Sequence, residues 1–437
     1  VYAALAAEMP KKVDDTTYEV TLRKDAKFSN GSAVTAEDVV YSFERILVKN
    51  LPPYSNFLPF IDKVEAKDAS TVTFKLKHAF VLLPERLSVV KIVPKAVVEA
   101  DPKKFTYNPV GSGPYKMTDN GAAKQVIVFE RNDHYNGPYP ALVKTMKWNI
   151  MPDDTTRTNA MTSGSVQAID AVPAANLPTF KEPIKVSALQ GFSLLFAMFN
   201  NTSFSNVKAR QAVLYALDYD KICKDAMAGL ATPATCFVQE GHPAYRKAKT
   251  VYSKDLDKAK ALLAEAGITS IRMLCSDHGW FSGVRPVIRE NLEALGVTVS
   301  YDEKKSSDLY NFIESKDGAN AWDVVIAPGD PSVFGEDGDL LMRWWYDTPT
   351  WIENRMHWKG SEGQKAIYAL LEEGAKLEGD QQIAKWQETF DKISEEVPLY
   401  PIFHRKSPIA YNSSTLKDFQ PIKLTALSFL GTGSTKS

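Results

Sequence analysis

Ile271-Arg272-Met273-Leu274-Cys275, Val297-Thr298-Val299-Ser300-Tyr301 and Trp322-Asp323-Val324-Val325-Ile326-Ala327 decide the fold, because each reads as a strand. Val284 to Leu295 lies between the first two and reads as a helix closed by Gly296; Ser307 to Ser315, before the third, is helical again. A β-α-β-α-β order calls for parallel strands joined by right-handed crossovers. Sheets of that kind hold ligands beyond the carboxyl ends of their strands. Here those ends run into Ser276 to Gly283 and Pro328 to Gly338.

Working outward, Phe192 to Phe199 is apolar and aromatic throughout, which suits a strand buried on both faces. Ser205 can cap a helix carrying Val213, Leu214 and Leu217. Ser253 can cap another, with Leu256, Ala259, Leu262, Leu263 and Ala266 inward and Gly267 as its stop. On the other side come two long helices, Gln364 to Leu377 and Gln381 to Ile393, the second with Ile383, Trp386, Phe390 and Ile393 inward. Pro398, Pro401 and Pro408 end the helical run. The first hundred residues differ. Tyr18 to Leu22 alternates as a half-buried strand, Asn30-Gly31 is a turn, and Thr35 with Asp38 marks a helix start ahead of Val39, Val40, Phe43, Ile46 and Leu47. Val64 to Leu76 reads as two strands, giving a small α+β unit. Pro109 to Tyr115 is stiff punctuation, followed by a strand at Lys124 to Glu130, a helix at Thr155 to Ser163 and a short strand at Ala168 to Val172.

A chain of 437 residues exceeds one core, and about 150 residues per domain suggests roughly three domains. Lys+Arg 52 against Asp+Glu 53 leaves a net charge of −1, so no overall field points to a nucleic-acid or acidic-membrane partner. The longest apolar run, Leu194 to Phe199, falls far short of the ~20 residues that span a bilayer. Cys223 and Cys236 are near enough in sequence to close a small loop, with buried free thiols as the alternative; Cys275 completes the cysteines. Val1 opens without a basic n-region, which implies a removed leader or a start inside a longer protein.

Catalytic motifs are absent: no G-x-S-x-G, no G-x-x-x-x-G-K-[ST], no G-x-G-x-x-G after a strand, no H-E-x-x-H. The six histidines are scattered, none at metal-ligand spacing. Asp337-Gly338-Asp339 lacks the oxygen ligands of a calcium loop. No cofactor and no metal are expected.

Four stretches share one resemblance. Thr21 to Gly31 with Thr35 to Arg45, Val110-Gly111-Ser112-Gly113-Pro114-Tyr115 with Arg131-Asn132-Asp133-His134-Tyr135, Asn206 to Asp220, and Lys258 to Gly267 resemble, in order, segments of the family 5 extracellular solute-binding proteins. These are the peptide- and nickel-type receptors of bacterial ABC importers. The resemblance implies an α/β chain of two-lobe periplasmic-binding-protein type II architecture with an extra α+β subdomain. Carried over, residues 1 to about 108 are that subdomain, 109–192 with 406–437 form lobe one, and 193–405 form lobe two. Hinge strands are expected near Phe192 to Asn200 and Phe403 to Ala410. Members of the family usually carry several dozen residues before the strand at Tyr18; this chain begins at Ala4-Leu5-Ala6-Ala7-Glu8, so part of lobe one is expected to be missing and a sheet edge exposed.

The resemblance further implies a non-enzymatic, monomeric receptor. It would be periplasmic or extracellular, with a lipid anchor in an absent leader as one option, and would deliver a small peptide-like solute to a membrane permease. An oligosaccharide, an opine-like conjugate or a metal chelate suits the same scaffold. A hydrolase with Asp337 and Asp339 as paired carboxylates is a distant alternative, since both lie on one turn. Peptide-binding relatives meet the ligand's amine with an aspartate after a lobe-two strand, and Asp330 in Ala327-Pro328-Gly329-Asp330-Pro331 is the match, with a turn or N-cap role as the alternative. Trp280, Phe281, Phe334, Trp344 and Trp345 are the cleft aromatics, each equally able to serve as core. Arg343 can hold a carboxylate or a surface ion pair. Asn200, at the end of the buried strand, completes the candidate set.

Overall fold

The computed structural model describes residues 2–49, 51, 53–423 and 427–435. Residues 424–426 of the returning segment, and Lys436 and Ser437 of the tail, lie outside the described residues. Near the start, strands β1 (Lys11–Asp14), β2 (Thr17–Thr21), β3 (Ile61–Ala66) and β4 (Thr71–Leu76) form an antiparallel sheet in the order β1-β2-β4-β3. Val72, Phe74 and Leu76 turn inward while Thr71, Thr73 and Lys75 turn out, as alternation demands. The helix Ala36–Leu47 opens on a capping box: Asp38 N–H donates to Thr35 Oγ1 and Thr35 N–H donates to the Asp38 carboxylate. Its Phe43 meets Phe74 edge-on at 5.0 Å.

A second antiparallel sheet follows, β5 (Tyr115–Asn120), β6 (Val126–Arg131) and β7 (Thr145–Asn149), then the helix Asp154–Thr162 and the short β8 (Ala168–Ile169). The main sheet is built from β9 (Ile184–Phe199), β10 (Ala231–Pro233), β11 (Ser270–Ser276), β12 (Thr298–Lys304), β13 (Val324–Gly329) and β14 (Leu399–Asn412), in the order β10-β14-β9-β13-β11-β12. Strands β12, β11 and β13 are parallel, as the helix-strand alternation requires; β9 runs antiparallel to both β13 and β14.

Three local readings change. Strand β9 begins at Ile184, eight positions before the apolar run, because its first half is partly solvated and carries no continuous apolar signal. Pro401 and Pro408 sit inside a strand; a register shift at Pro401/Phe403 accommodates the first, while Pro408 stays in register opposite Ala188. Caps move by one or two residues: Asn206 accepts from Lys208 N–H at 2.9 Å in place of Ser205, and Asp255 from Lys258 N–H at 3.0 Å in place of Ser253. The cysteines are free and buried, so Cys223 and Cys236 form no bridge.

The pairing of β9 with β14 runs from Met198↔Leu399 to Ile184↔Asn412. At one end these strands lie in the largest core, with Leu194, Phe196, Phe199, Leu399 and Phe403; at the other, Ala410 and Ile184 join a separate small core around Met161, Ile169 and Phe180. Between them the ladder is interrupted, with Leu194↔His404 and Gln190↔Lys406 flanking Arg405. Two strands thus tie two cores together.

Candidate functional site

The carboxyl ends of β11 and β13 open onto a cavity of about 260 Å³ lined by Ser276, His278, Ser306, Tyr310, Ala327 and Pro328. Its position is the one that parallel-strand chemistry selects. His278 Nδ1 lies 3.1 Å from Ser276 Oγ, and burial lowers its pKa, which favours the neutral ring. The loop after β11 meets the helix Asp154–Thr162 from the other core: a Cβ on Gly279 would stand 3.2 Å from Asp154 Oδ2. Asp154 in turn pairs with Arg157. The cavity itself is walled by the main body alone, and the other body reaches the loop beside it.

Of the residues singled out from sequence, Trp280 stands nearest this boundary. It is half-buried, its ring faces the Arg405 guanidinium at 3.9 Å, and Phe403 meets it edge-on at 6.3 Å. Its neighbour Phe281 is fully buried in the main core. Asp330 is the N-cap of the short turn Pro331–Phe334, and its Oδ1 accepts from Ser332 N–H at 2.9 Å and Ser332 Oγ–H at 2.6 Å. That is the capping geometry, with the carboxylate still at the mouth of the loop after β13.

Phe334 and Trp344 pack 4.9 Å apart and close over Phe57, Val89 and Leu340, joining the first hundred residues to the main body. Trp345 is core, 1% exposed. Asn200 is sealed at the end of β9: its Nδ2 donates to Ala319 O and Trp322 O, and its Oδ1 accepts from Thr202 N–H. Arg343 is buried, and its guanidinium is taken up by Asp339, Asp347 and Glu372 of the chain itself, so the expected surface ion pair is an interior one. Asp339 also pairs with Arg86, reached from 253 residues away. Burial raises the pKa of Asp337 to about 6, against the pull of Arg86, while Asp339 is held below the usual range by Arg343 and Arg86 in spite of its burial. Asp339 is sealed in this ion-pair cluster, so the two carboxylates do not flank a cleft as a glycosidase pair would.

A second hollow of about 330 Å³ lies between Phe192, Gln239, His242, Asp337, Trp386 and Lys423. Gly191 is required beside it, because a Cβ there would collide with the Lys423 carbonyl. The residue that sequence reasoning overlooked is Arg405. It sits within an apolar strand, in the Phe403-His404-Arg405-Lys406 run, and no motif surrounds it. Among the described residues no group of His, Cys, Asp or Glu is arranged to hold a metal, and no helix is long and apolar enough to cross a membrane.

Comparison with known proteins bears on the whole arrangement. The family described as bacterial extracellular solute-binding proteins, family 5 Middle, matches residues 1–366. The chain is 26% identical over 425 residues to the probable D,D-dipeptide-binding periplasmic protein DdpA of Escherichia coli K12, covering 93% of this chain and 80% of that one. It is 29% identical over 315 residues to the glutathione-binding protein GsiB of Pectobacterium atrosepticum, covering 69% and 61%. Among solved structures, AgaA of A. tumefaciens R10 in complex with agropinic acid superposes with a TM-score of 0.85 at 26% identity, over 99% of this chain and 90% of that one. AppA of Bacillus subtilis with a nonapeptide superposes at 0.84 and 21% identity, over 100% and 93%, which speaks for the fold. With parallel strands opening on a cavity at their carboxyl ends, two strands linking separate cores and this match over most of its length, the chain belongs to family 5 of the bacterial extracellular solute-binding proteins.

Proposed function

We propose that this protein is the receptor of an ABC importer that captures a small peptide-like solute between its lobes, as a monomer, and passes it chemically unaltered to a membrane permease. The observation that carries the reading is the β9/β14 pair, which enters two different cores and loses its ladder at Gly191–Ser193 opposite Arg405. A bend there moves one core against the other with few bonds to break, the mechanics of hinge closure. Lobe one then comprises 109–192 with 406–437, lobe two 193–405, and 1–108 is the subdomain. Water leaves the cavity on closure, which strengthens every polar contact to the solute. Relatives named for dipeptides, glutathione and oligopeptides support the peptide-like class.

Solution scattering with Met-Leu, glutathione and agropinic acid tests closure. At saturation one of these is expected to shrink the radius of gyration, and calorimetry on the same sample gives the affinity. A profile unmoved by all three counts against the receptor reading.

A further inference from the structure

Arg405 is 5% exposed, and among the described residues its guanidinium has no hydrogen-bond partner and no carboxylate within 4.0 Å, while its nitrogens are not among the sealed, unpartnered atoms and so keep an opening to solvent. Every other strongly buried arginine here is paired: Arg86 with Asp339, Arg210 with Glu396, Arg343 with three carboxylates. A largely buried cation without a carboxylate partner is costly, and the opening left at its nitrogens gives an anionic ligand a place to meet it. The guanidinium carbon lies 3.9 Å from the centre of the Trp280 ring, a cation–π contact that holds the group in place while its N–H donors remain for an anion. Its backbone occupies the register shift between His404 and Lys406, the kind of irregularity that re-aims a side chain. Gln190 Nε2 donates to the Arg405 carbonyl at 3.2 Å and steadies the bulge. Asp170 and Asp154, across the boundary in the other body, act on the cation through space without touching it, and its charge reaches His278 on the cavity wall. Burial lowers the Arg405 pKa to about 10, so the group stays charged at neutral pH.

We propose that Arg405, held in place by Trp280, anchors a carboxylate of the solute, which makes the solute class an organic acid: a peptide with a free carboxyl terminus or an acidic conjugate. This rests on the receptor reading. It adds what that reading leaves open, namely which end of the solute meets the hinge. A guanidinium gives bidentate recognition of a planar carboxylate and discriminates against the corresponding amide. Arg405 acts here as a specificity residue at the bending point, so an anion seated on it touches both the hinge and the Trp280 loop.

The test uses the full chain with acetate as the minimal carboxylate and acetamide as its uncharged counterpart, followed through the indole N–H resonance of Trp280. Acetate is expected to shift that resonance in the wild-type protein and acetamide to leave it in place. Arg405→Met, which keeps an apolar stem, is expected to abolish the shift and to leave the thermal midpoint unchanged or raised, whereas a purely structural arginine would lower it. Arg405→Lys keeps the charge without the fork and should retain a weakened response. For whichever of Met-Leu, glutathione or agropinic acid binds, Arg405→Met is expected to weaken affinity by about 10- to 100-fold. An acetate shift that survives in Arg405→Met, or no shift in the folded wild type, overturns the proposal. Arg405→Lys with the acetate–acetamide comparison decides it even where Arg405→Met does not fold. Failure of the receptor reading shows elsewhere, as scattering unmoved by all three solutes whatever acetate does.

Discussion

Asp339→Ala is expected to destabilise the protein by about 3–5 kcal/mol, because it strands two buried cations at once. The Asp339 carboxylate is fully buried; it pairs with Arg86 from the first hundred residues and accepts from Arg343 Nη2 at 2.9 Å and Nε at 3.1 Å. Arg343 has Asp347 and Glu372 to fall back on. Arg86 has less: the Phe57 carbonyl at 2.7 Å, the faces of Phe80 and Phe60, and Asp337 at 3.6 Å. The loss should therefore concentrate where the first hundred residues meet the main body, beside Phe57, Val89, Phe334 and Leu340. Urea unfolding measures the total, and limited proteolysis shows whether the first hundred residues are released first. A loss below about 1 kcal/mol would mean that water solvates the cations freely, as at a surface pair.

The two aspartates of this cluster pull stability in opposite directions with pH. Asp339 has a lowered pKa in the folded state, so its contribution is present above the unfolded value of 3.8 and is lost as pH falls through the folded one. Asp337, pushed up to about 6 by burial, binds its proton more readily in the folded state. Its contribution is present below 3.8 and is lost as pH rises through about 6. Asp337→Asn is accordingly expected to flatten the decline in stability between about pH 4 and 6 while leaving the acid limb, which Asp339 governs. An unchanged slope in that window would assign the titration to another group.

The parallel core was legible because β11 and β13 are buried on both faces and so read as continuous apolar runs. The first half of β9 was not. Ile184 to Gln190 carries a mixed, partly solvated pattern, and only its pairing with Lys406 to Asn412 makes it a strand. The prolines of β14 read as breakers by local rule, yet Pro401 is absorbed at a bulge and Pro408 stays in register opposite Ala188, a tertiary solution that no short window of sequence contains.

The site divides in the same way. The loops after β11 and β13 follow from strand order alone. Which aromatics line them does not: Phe281 and Trp345 turn inward, Trp280 outward, and their local sequences, Gly279-Trp280-Phe281 and Arg343-Trp344-Trp345, give no period by which to sort them. Arg86 and Asp339 are invisible as partners because 253 positions separate them. Arg405 had one available signal, a charged triplet directly after the apolar Leu399 to Phe403. Charge in such a place reads as the end of a strand until burial shows that the strand continues.

Trp345→Ala is expected to cost about 3–5 kcal/mol, in contrast to Trp280→Ala, since the first empties a closed core position and the second a half-buried one. Trp345 meets Phe196 edge-on at 5.5 Å, Phe237 at 6.0 Å and Trp351 at 5.7 Å, so β9, the segment after β10 and the turn Thr350–Arg355 all bear on one indole. It also supports the end of β13: a Cβ on Gly329 would stand 2.7 Å from Trp345 Cζ2, which shows how closely the backbone rests on the ring. Removing the indole frees Gly329 and with it the start of the Asp330 loop. Affinity for a solute should then fall together with stability and recover when the protein is studied well below its melting temperature. Trp280→Ala should behave in the reverse manner. Its ring carries one cation contact worth about 1–2 kcal/mol, so unfolding shifts little while the response to carboxylates weakens. Calorimetry and urea titration on both variants separate the two cases. A Trp345→Ala protein as stable as the wild type, yet unable to bind, would move that tryptophan from the core into the cleft.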